Sequence, residues 1–130
     1  IPPVLHLGIG CKKGTSAEII RQVVETILNE NKIDKRAIAR VASIDLKAGE
    51  QGLLDYCQEK GWPVFFYPAE ELQAVEGDFT PSEFVLGITG VDNVCERAAL
   101  IGAKELIVKK TVVNGVTVAV AARYLEVRFE

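Results

Sequence analysis

A turn rich in glycine and lysine near the start of the chain carries the groups that bind anions. An apolar run from Val4 to Ile9 leads into this turn, and an amphipathic helix pattern begins directly after it. Backbone N–H groups at the start of a helix are positively polarised, and neighbouring lysines add to that polarity. The turn therefore predicts a binding site for phosphate or carboxylate oxygens. Its candidate binding residues are Gly8, Gly10, Cys11, Lys12, Lys13, Gly14, Thr15 and Ser16.

The sequence of this turn resembles two nucleotide-binding motifs but matches neither of them. A dinucleotide fingerprint needs its third glycine at the position of Lys13, whereas the chain has it one residue later, at Gly14. A Walker phosphate loop needs lysine and then serine or threonine after its last glycine, but Thr15 follows Gly14 directly. NAD and ATP are therefore disfavoured as ligands. A purely structural interpretation also stays open, in which the glycines permit a sharp turn and the lysines are solvated.

The size and charge of the chain limit its class. The 130 residues suit one domain, spanning residues 1–130, that buries a core without disulfides or metals. The net charge of −3 gives no general attraction for nucleic acid or for an anionic membrane. No apolar run approaches the ~20 residues of a membrane span, and no signal peptide is visible. We therefore expect a cytoplasmic domain that binds neither nucleic acid nor membrane.

Cysteine and histidine are too few and too scattered for a metal centre. Cys11, Cys57 and Cys95 are far apart and odd in number, which argues against disulfides and fits a reducing compartment. The one histidine, His6, lies inside a predicted strand and is expected to pack in the core. No metal site built by the protein is predicted, because the usual closely spaced ligands are missing.

Hydrophobic periodicity predicts strands and helices in alternation. The predicted strands are Val4–Gly10, Ile38–Ile44, Pro63–Tyr67, Glu105–Val113 and Val116–Ala122, with an extension over residues 125–129. The predicted helices begin at Thr15 or Ser16, near Glu50, at Pro68, near Pro81 and at Asn93. Asn114-Gly115, between the last two strands, is a strong signal for a β-hairpin.

Two details of the predicted helices follow from residue spacing. Thr15 and Glu18 have the spacing of a capping box, and the apolar stripe of the first helix begins at Ile19. In the second helix, Leu53, Leu54 and Cys57 are expected to face inward, and Gly61 to end the helix.

This order of elements predicts an α/β domain. We expect a three-layer α/β/α arrangement around a mixed, mostly parallel sheet of about five strands with a C-terminal β-hairpin. Ligands of such sheets bind beyond the carboxyl ends of the parallel strands. The segments that follow the first three strands, residues 10–16, 45–47 and 67–70, are therefore expected to meet at one edge. Lys47 then joins the lysines of the turn as a candidate binding residue.

Five short motifs occur in an order that resembles a known family. They are Gly8-Ile9-Gly10-Cys11-Lys12-Lys13-Gly14-Thr15-Ser16, Ala42-Ser43-Ile44-Asp45-Leu46-Lys47, Thr80-Pro81-Ser82-Glu83, Asn93-Val94-Cys95-Glu96 and Gly115-Val116-Thr117-Val118-Ala119. From about Val4 to Arg123 the chain is similar to the C-terminal domain of the cobalamin-biosynthesis protein CbiG, which also exists as the standalone protein CobE. The chain departs from the family at Arg97, where a proline is expected. Full-length CbiG also carries a further N-terminal region.

The resemblance implies a role in cobalamin biosynthesis. CbiG is the cobalt-precorrin-5A hydrolase, which opens a δ-lactone on the tetrapyrrole ring and releases acetaldehyde, whereas the role of CobE is less settled. The implied ligand is a tetrapyrrole of the precorrin type, whose acetate and propionate carboxylates suit lysines beside a helix start. No cofactor is expected, because cobalt would arrive inside the substrate. Docking to other enzymes of the corrin pathway, or to an N-terminal region, is a further expectation.

The implied lactone opening needs a base to activate water and donors to hold the developing oxyanion. Asp45, at the end of the second strand, is the first candidate base, and Glu96, near a helix start, is the second. Capping of a loop or a helix is the alternative role of both carboxylates. Cys11 has no histidine partner for nucleophilic catalysis, since His6 is the only histidine of the chain.

Two functions therefore stay open at this stage. The domain is either part of a hydrolase that acts on a cobalt-containing δ-lactone, or a non-catalytic module that binds or carries a tetrapyrrole intermediate. A nucleotide-binding domain is a third interpretation, and the two motifs that fail to match disfavour it.

Overall fold

The computed structural model describes residues 4–45, 48–75 and 94–123. Alternating apolar residues in the strands and apolar stripes on the helices build a five-stranded sheet with helices on both faces. The strands are β1 (Leu5–Cys11), β2 (Ile38–Ile44), β3 (Val64–Tyr67), β4 (Glu105–Val113) and β5 (Val116–Ala122). The described helices are α1 (Ala17–Glu30), α2 (Gln51–Lys60), α3 (Ala69–Gln73) and α4 (Val94–Leu100). The predicted three-layer α/β fold is confirmed.

The sheet has the strand order β3-β2-β1-β5-β4. β1, β2 and β3 are parallel, as predicted, and β5 runs antiparallel to both β1 and β4. All strands except β5 therefore point the same way, which makes the sheet mixed and mostly parallel. The predicted hairpin turn between β4 and β5 is confirmed at Asn114 and Gly115, whose φ angles of 50° and 78° are left-handed. Turns of this kind match the twist of two antiparallel strands.

The start of α1 is set by serine and not by a capping box. Ser16 is the N-cap residue, and its hydroxyl oxygen accepts the N–H of Ile19 at 3.3 Å. The Thr15 hydroxyl instead donates to the Lys12 carbonyl oxygen at 2.6 Å, and Glu18 pairs with an arginine of the same helix. The predicted capping box between Thr15 and Glu18 is therefore wrong, because each side chain has a nearer partner.

The buried faces of α1 and α2 follow the predicted stripes with two exceptions. Ile19 is 37% exposed, because the face of α1 that packs on the sheet runs through Val23, Val24 and Ile27. In α2, Tyr56 is fully buried while Leu54 is only half-buried. The ring of Tyr56 packs edge-on against a tryptophan beyond the end of α2, with 5.7 Å between ring centroids. Gly61 ends α2 in the left-handed conformation, as predicted.

The two faces of the sheet pack differently. On one face, large aliphatic side chains of the strands pack against α1 and α2 and form the main core. On the other face, Ala119 and Ala121 of β5 pack against Cys95 and Ala99 of α4. Gly8 of β1 shows how close this contact is, because a Cβ built there would overlap the carbonyl oxygen of Cys95. Helix α4 therefore lies directly on the backbone of the sheet.

Several sequence predictions concern residues that the structure does not describe. These are the helix predicted near Pro81, with its motif Thr80-Pro81-Ser82-Glu83, and the strand extension over residues 125–129. The helix predicted from Asn93 is confirmed as α4. Within residues 4–45, 48–75 and 94–123, no helix is both long enough and apolar enough to cross a membrane.

His6 is a core residue, as predicted. Its side chain is 2% exposed, and Nε2 accepts the Nε–H of Arg123 at 2.8 Å. Because Nε2 is an acceptor, the proton of the neutral ring lies on Nδ1, which donates to the carbonyl oxygen of Ile101 at 3.1 Å. Burial, reinforced by the nearby charge of Arg40, lowers the pKa of His6 to about 4. His6 is therefore neutral at pH 7 and links β1 to the end of α4.

Replacing Gly8 with alanine is expected to destabilise the fold strongly, because the added methyl group must push α4 away from β1. We expect the free energy of unfolding, measured by urea denaturation, to fall by about 3 kcal/mol. Gly49→Ala is the matched control, since a Cβ at Gly49 meets no atom within 4 Å. Equal stability of the two variants would contradict the close contact between helix and sheet.

Acid is expected to destabilise the protein through His6. The folded-state pKa lies below the ordinary value of 6.5, so the unfolded chain takes up the proton first and stability falls as the pH drops from 6.5 towards 4. Between pH 7 and pH 5 this residue should account for a loss of roughly 2 kcal/mol. Urea denaturation at both pH values should show a smaller loss for His6→Gln, whose amide donates and accepts but does not titrate. An identical pH dependence of the two proteins would refute the assignment.

Candidate functional site

The carboxyl ends of the parallel strands meet at one edge of the sheet, as the sequence predicts. β1 ends at Cys11, β2 at Ile44 and β3 at Tyr67, and these strands are neighbours. The turn of the β4–β5 hairpin lies at the same edge, because Val116 at the start of β5 pairs with Cys11. We call this the carboxyl edge. Ligands of parallel sheets bind beyond this edge.

Residues 12–16, which we call the lysine loop, connect β1 to α1 at the carboxyl edge. The side chains of Lys12 and Lys13 are both exposed. Gly14 has a φ of 82°, in the left-handed region that favours glycine. The N–H of Thr15 closes the turn by donating to the Lys12 carbonyl oxygen at 3.2 Å. The loop thus presents two ammonium groups next to the positive end of a 14-residue helix.

One N–H of the lysine loop already binds a carboxylate of the protein itself. The N–H of Gly14 donates to Oε2 of Glu50 at 2.9 Å. Glu50 is the N-cap residue of α2, but its side chain makes no hydrogen bond to its own helix. The two helix starts are in contact, since a Cβ built at Gly52 would overlap the carbonyl oxygen of Thr15. A carboxylate oxygen therefore fits the loop, and a ligand carboxylate has to displace Glu50 or use the lysines.

Sequence reasoning missed Glu50, which lies 36 residues from its partner Gly14. Its position could have indicated the contact, because Glu50 precedes a predicted helix at the same edge of the sheet as the lysine loop. Its contact with the loop depends on the packing of α1 against α2, which no local pattern reports.

Asp45 lies where the sequence places it, directly after β2 at the carboxyl edge. Its side chain is exposed, and its backbone carbonyl oxygen accepts the N–H of Ala48 at 3.0 Å. Since β2 is the neighbour of β1, Asp45 and the lysine loop follow strands that lie about 5 Å apart. Lys47 lies outside the described residues. An exposed carboxylate can take a proton from water, and the catalytic role of Asp45 stays a prediction.

Glu96 lies in a different place, between α4 and the sheet. It is fully buried, and its Oε2 accepts the N–H of Lys110 at 2.6 Å. Lys110 belongs to a bulge of β4, where the ladder is irregular between Val108 and Thr111. β1 and β5 separate β2 from β4, so roughly 14 Å lies between the strands near the two candidate bases. The structure does not bring Asp45 and Glu96 together; Glu96 ties α4 to the bulge, and its catalytic role stays a prediction.

Three residues that the sequence assigns to binding are packed inside the molecule. Gly8 is buried beneath α4, and Cys11 is buried in the main core. Gly10 is half-buried and accepts at its carbonyl oxygen the hydroxyl of Thr117, at 3.3 Å. Packing accounts for these residues in the structure, and their role in binding stays a prediction.

The other two cysteines are buried, and neither is suited to nucleophilic chemistry. Burial raises the pKa of Cys57 and that of Cys95 to about 12, so both thiols are protonated at neutral pH. Cys57 is a core residue of α2, as predicted. In the part of the chain that the structure describes, no group of three or more His, Cys, Asp or Glu residues could hold a metal ion.

Arg97, where the resemblance leads us to expect proline, connects α4 to α3. Its Nη1 donates to the carbonyl oxygens of Leu72, Gln73 and Val75 at 3.0–3.2 Å. These carbonyls lie at the C-terminal end of α3, where a cation is electrostatically favoured. The positive charge of Arg97 therefore holds the start of α4 against the end of α3.

Comparison with known proteins gives one family for almost the whole chain. A family model described as cobalamin synthesis G C-terminus matches residues 5–121. The match begins with β1 and ends in β5, so it includes the lysine loop, Asp45 and the hairpin.

Individual relatives include a named hydrolase and the protein CobE. The chain is 36% identical over 122 residues to a cobalt-precorrin-5A hydrolase of Priestia megaterium, covering 92% of this chain and 32% of that protein. It is 37% identical over 121 residues to the protein CobE of a Sinorhizobium species, covering 90% of this chain and 79% of that protein. A crystal structure of CobE, described as a protein from the cobalamin biosynthetic pathway, superposes with a TM-score of 0.85 and 33% identity, covering 94% of this chain and 92% of CobE. The chain thus spans about a third of the hydrolase but most of CobE.

Proposed function

Because the chain belongs to the family of cobalamin synthesis G C-terminal domains, we propose that it binds a tetrapyrrole intermediate of cobalamin biosynthesis at the carboxyl edge. One observation carries the proposal: the N–H of Gly14 binds a carboxylate oxygen, and two exposed lysines flank it. Carboxylates are the groups that the rim of such a macrocycle presents.

The lysine loop suits a ligand with several carboxylate arms better than one with a single arm. An exposed lysine–carboxylate pair contributes at most about 1 kcal/mol, because water screens the charges and long side chains lose freedom. Lys12, Lys13 and the start of α1 together engage more than one arm, and their contributions add. A macrocycle holds its arms in one rigid frame, so the second contact costs less entropy than the first.

Glu50 sets how the loop receives a ligand. It occupies the N–H of Gly14 in the structure, so the loop is held in shape before any ligand arrives. An arm that takes this N–H releases the Glu50 carboxylate to solvent, an exchange of one carboxylate for another. The charge of Glu50 also offsets part of the lysine charge, which limits the binding of unrelated small anions.

Binding is favoured over catalysis as the role of this domain, because one of the two candidate bases is buried away from water. Glu96 is buried and bonded to the backbone of β4, so Asp45 is left as the exposed candidate base.

Hydrolysis is the second candidate, favoured by the position of Asp45 beside the lysine loop. In this mechanism the Asp45 carboxylate takes a proton from water, and the resulting hydroxide attacks the lactone carbonyl of cobalt-precorrin-5A. The carbon–oxygen bond of the lactone breaks, the ring gains a carboxylate and a hydroxyl group, and acetaldehyde leaves in a following step. Lys12 and the loop N–H groups stabilise the developing oxyanion. The domain needs no cofactor of its own, because cobalt belongs to the substrate.

Removing both loop lysines is expected to weaken tetrapyrrole binding. For Lys12→Gln/Lys13→Gln we expect the affinity for a stable porphyrin with acetate and propionate arms to fall about tenfold at low salt. The salt dependence of binding should fall with it. Lys104→Gln is the control, since Lys104 is exposed and precedes β4 at the opposite edge. Titration followed by absorbance, repeated at several salt concentrations, gives the affinity and its salt dependence. An unchanged affinity of the double variant would overturn the proposed site.

Turnover of cobalt-precorrin-5A separates the two candidate functions. If the domain hydrolyses the lactone, acetaldehyde should appear in a coupled alcohol dehydrogenase assay, and Asp45→Asn should lower its rate at least about 100-fold. Asp55→Asn, an exposed change on α2 that removes the same charge, should leave the rate unchanged. Tight binding of the substrate without acetaldehyde would support the binding module and remove the hydrolase alternative for this domain.

A further inference from the structure

Two arginines flank His6 at the edge of the sheet opposite the carboxyl edge. Arg40 lies near the start of β2, and Arg123 directly follows the end of β5. β1, which carries His6, lies between these two strands. The backbone N–H of Arg123 donates to the carbonyl oxygen of Val4 at 2.9 Å, so its position beside β1 is fixed. We call Arg40 and Arg123 the arginine pair.

One carbonyl oxygen and one imidazole ring connect the two guanidinium groups. Nη2 of Arg40 and Nδ1 of His6 both donate to the carbonyl oxygen of Ile101, at 2.8 Å and 3.1 Å. On the other side of the ring, Nε of Arg123 donates to Nε2 of His6 at 2.8 Å. Burial, together with the charges of Arg40 and Arg123, lowers the pKa of His6 to about 4. Two positive charges therefore lie close to one neutral ring.

Neither member of the arginine pair has a carboxylate partner among the residues that the structure describes. The described ion pairs use four other cations, which are Arg21, Lys35, Arg36 and Lys60. Glu105 begins β4 next to the end of β5, but it pairs with Ala122 and shares the face of that residue, which packs in the main core. The arginine pair is thus a local excess of positive charge in a chain whose net charge is −3.

Each guanidinium group of the arginine pair is held on one side and has donors left on another. Arg40 packs over the ring of Phe65, with its Cζ 4.6 Å from the ring centroid, and Nη2 also donates to the hydroxyl oxygen of Tyr67 at 2.7 Å. Its Nε–H is buried and has no hydrogen-bond partner in the described part of the chain, and Nη1 has no acceptor there either. Arg123 is exposed and is anchored through Nε, which leaves both of its Nη groups for another acceptor.

We propose that Arg40 and Arg123 together bind a phosphate or carboxylate oxyanion. A guanidinium group donates in a fixed planar fork that matches the oxygens of such anions. A buried polar group with no protein partner points to an ion or a water molecule as its partner. The contacts with His6, Phe65 and Tyr67 hold both arginines in place, so little side-chain freedom is lost when the anion binds.

This oxyanion site is separate from the lysine loop. From His6 to Cys11, the last residue before the loop, β1 spans roughly 17 Å. Between them α4 lies directly on Gly8, so the helix covers this stretch of the strand. The inference therefore stands independently of the proposed function, and the two sites can be tested in the same protein.

A purely structural role of the arginine pair makes a different prediction. Ile101 follows the end of α4, where a cation is electrostatically favoured, so Arg40 also stabilises this helix end. A role limited to that contact predicts that removing an arginine lowers stability and that added oxyanions have no specific effect. A binding site predicts a saturable response to oxyanions that disappears with either arginine.

The single histidine provides the signal for the experiment. His6 is the only histidine of the chain, so the NMR signal of its Cε1–H reports on the arginine pair without ambiguity. The probes are sodium phosphate and sodium acetate at pH 7, with sodium chloride at equal ionic strength as the reference. We expect a saturable shift of the His6 signal that is half complete at about 5 mM oxyanion, and no such shift with chloride. A response to phosphate alone identifies a phosphate ligand, whereas an equal response to acetate identifies a carboxylate.

Three variants test which residues bind the oxyanion. Arg123→Gln, an exposed change, and Arg40→Gln should each weaken the response at least about tenfold. Arg36→Gln is the matched control, because Arg36 lies at the same edge but its guanidinium group already pairs with Asp34. Urea denaturation checks that each variant folds.

The outcomes are decisive for the arginine pair. A wild-type response to phosphate or acetate that is lost in Arg123→Gln and kept in Arg36→Gln supports the site. A chloride effect as large as that of phosphate, or equal responses of the wild type and Arg123→Gln, would overturn it. Lys12→Gln/Lys13→Gln should respond like the wild type, so failure at the arginine pair leaves the lysine loop untouched.

Discussion

The close contact between α4 and β1 at Gly8 is the constraint on which this face of the molecule depends. A side chain at Gly8 would overlap the carbonyl oxygen of Cys95, so the helix backbone packs directly on β1 and beside it on alanines of β5. At this height the carboxylate of Glu96 reaches the N–H of Lys110 in the bulge of β4. The missing Cβ at Gly8 therefore allows the hydrogen bond between the helix and the bulge to form.

Electrostatics at the carboxyl edge are balanced within the chain. The lysine loop collects two ammonium groups and a helix start in a protein whose net charge is −3. Glu50 supplies the opposing charge and binds the N–H of Gly14, so the loop does not depend on a ligand for its shape. Binding by such a loop is an exchange of carboxylates, and its strength comes from having several arms on one rigid ring. This favours a multivalent ligand over a simple anion.

The two candidate functions share this edge and differ in what Asp45 does. A binding domain needs the lysines, whereas a hydrolase needs a base with access to water. Glu96 has no such access, since it is fully buried, which leaves Asp45 as the exposed one of the two. The family includes both a hydrolase that extends well beyond the chain and the shorter CobE, which the chain nearly spans.

Local patterns in the sequence were enough for most elements and for the edge of the sheet at which Asp45 and the lysine loop lie. Strand alternation, helix stripes and the Asn114-Gly115 turn depend on residues close together in the chain, and the rule for parallel strands then placed Asp45 at the carboxyl edge. Three contacts were beyond such patterns: Glu50 with the lysine loop, Glu96 with the β4 bulge, and α4 on Gly8. Each contact joins segments that are distant in the sequence. Each also depends on the distance and the relative orientation of the helices and strands that pack together. Periodicity specifies which face of an element is buried, but only the packing of side chains in three dimensions specifies which atoms then meet.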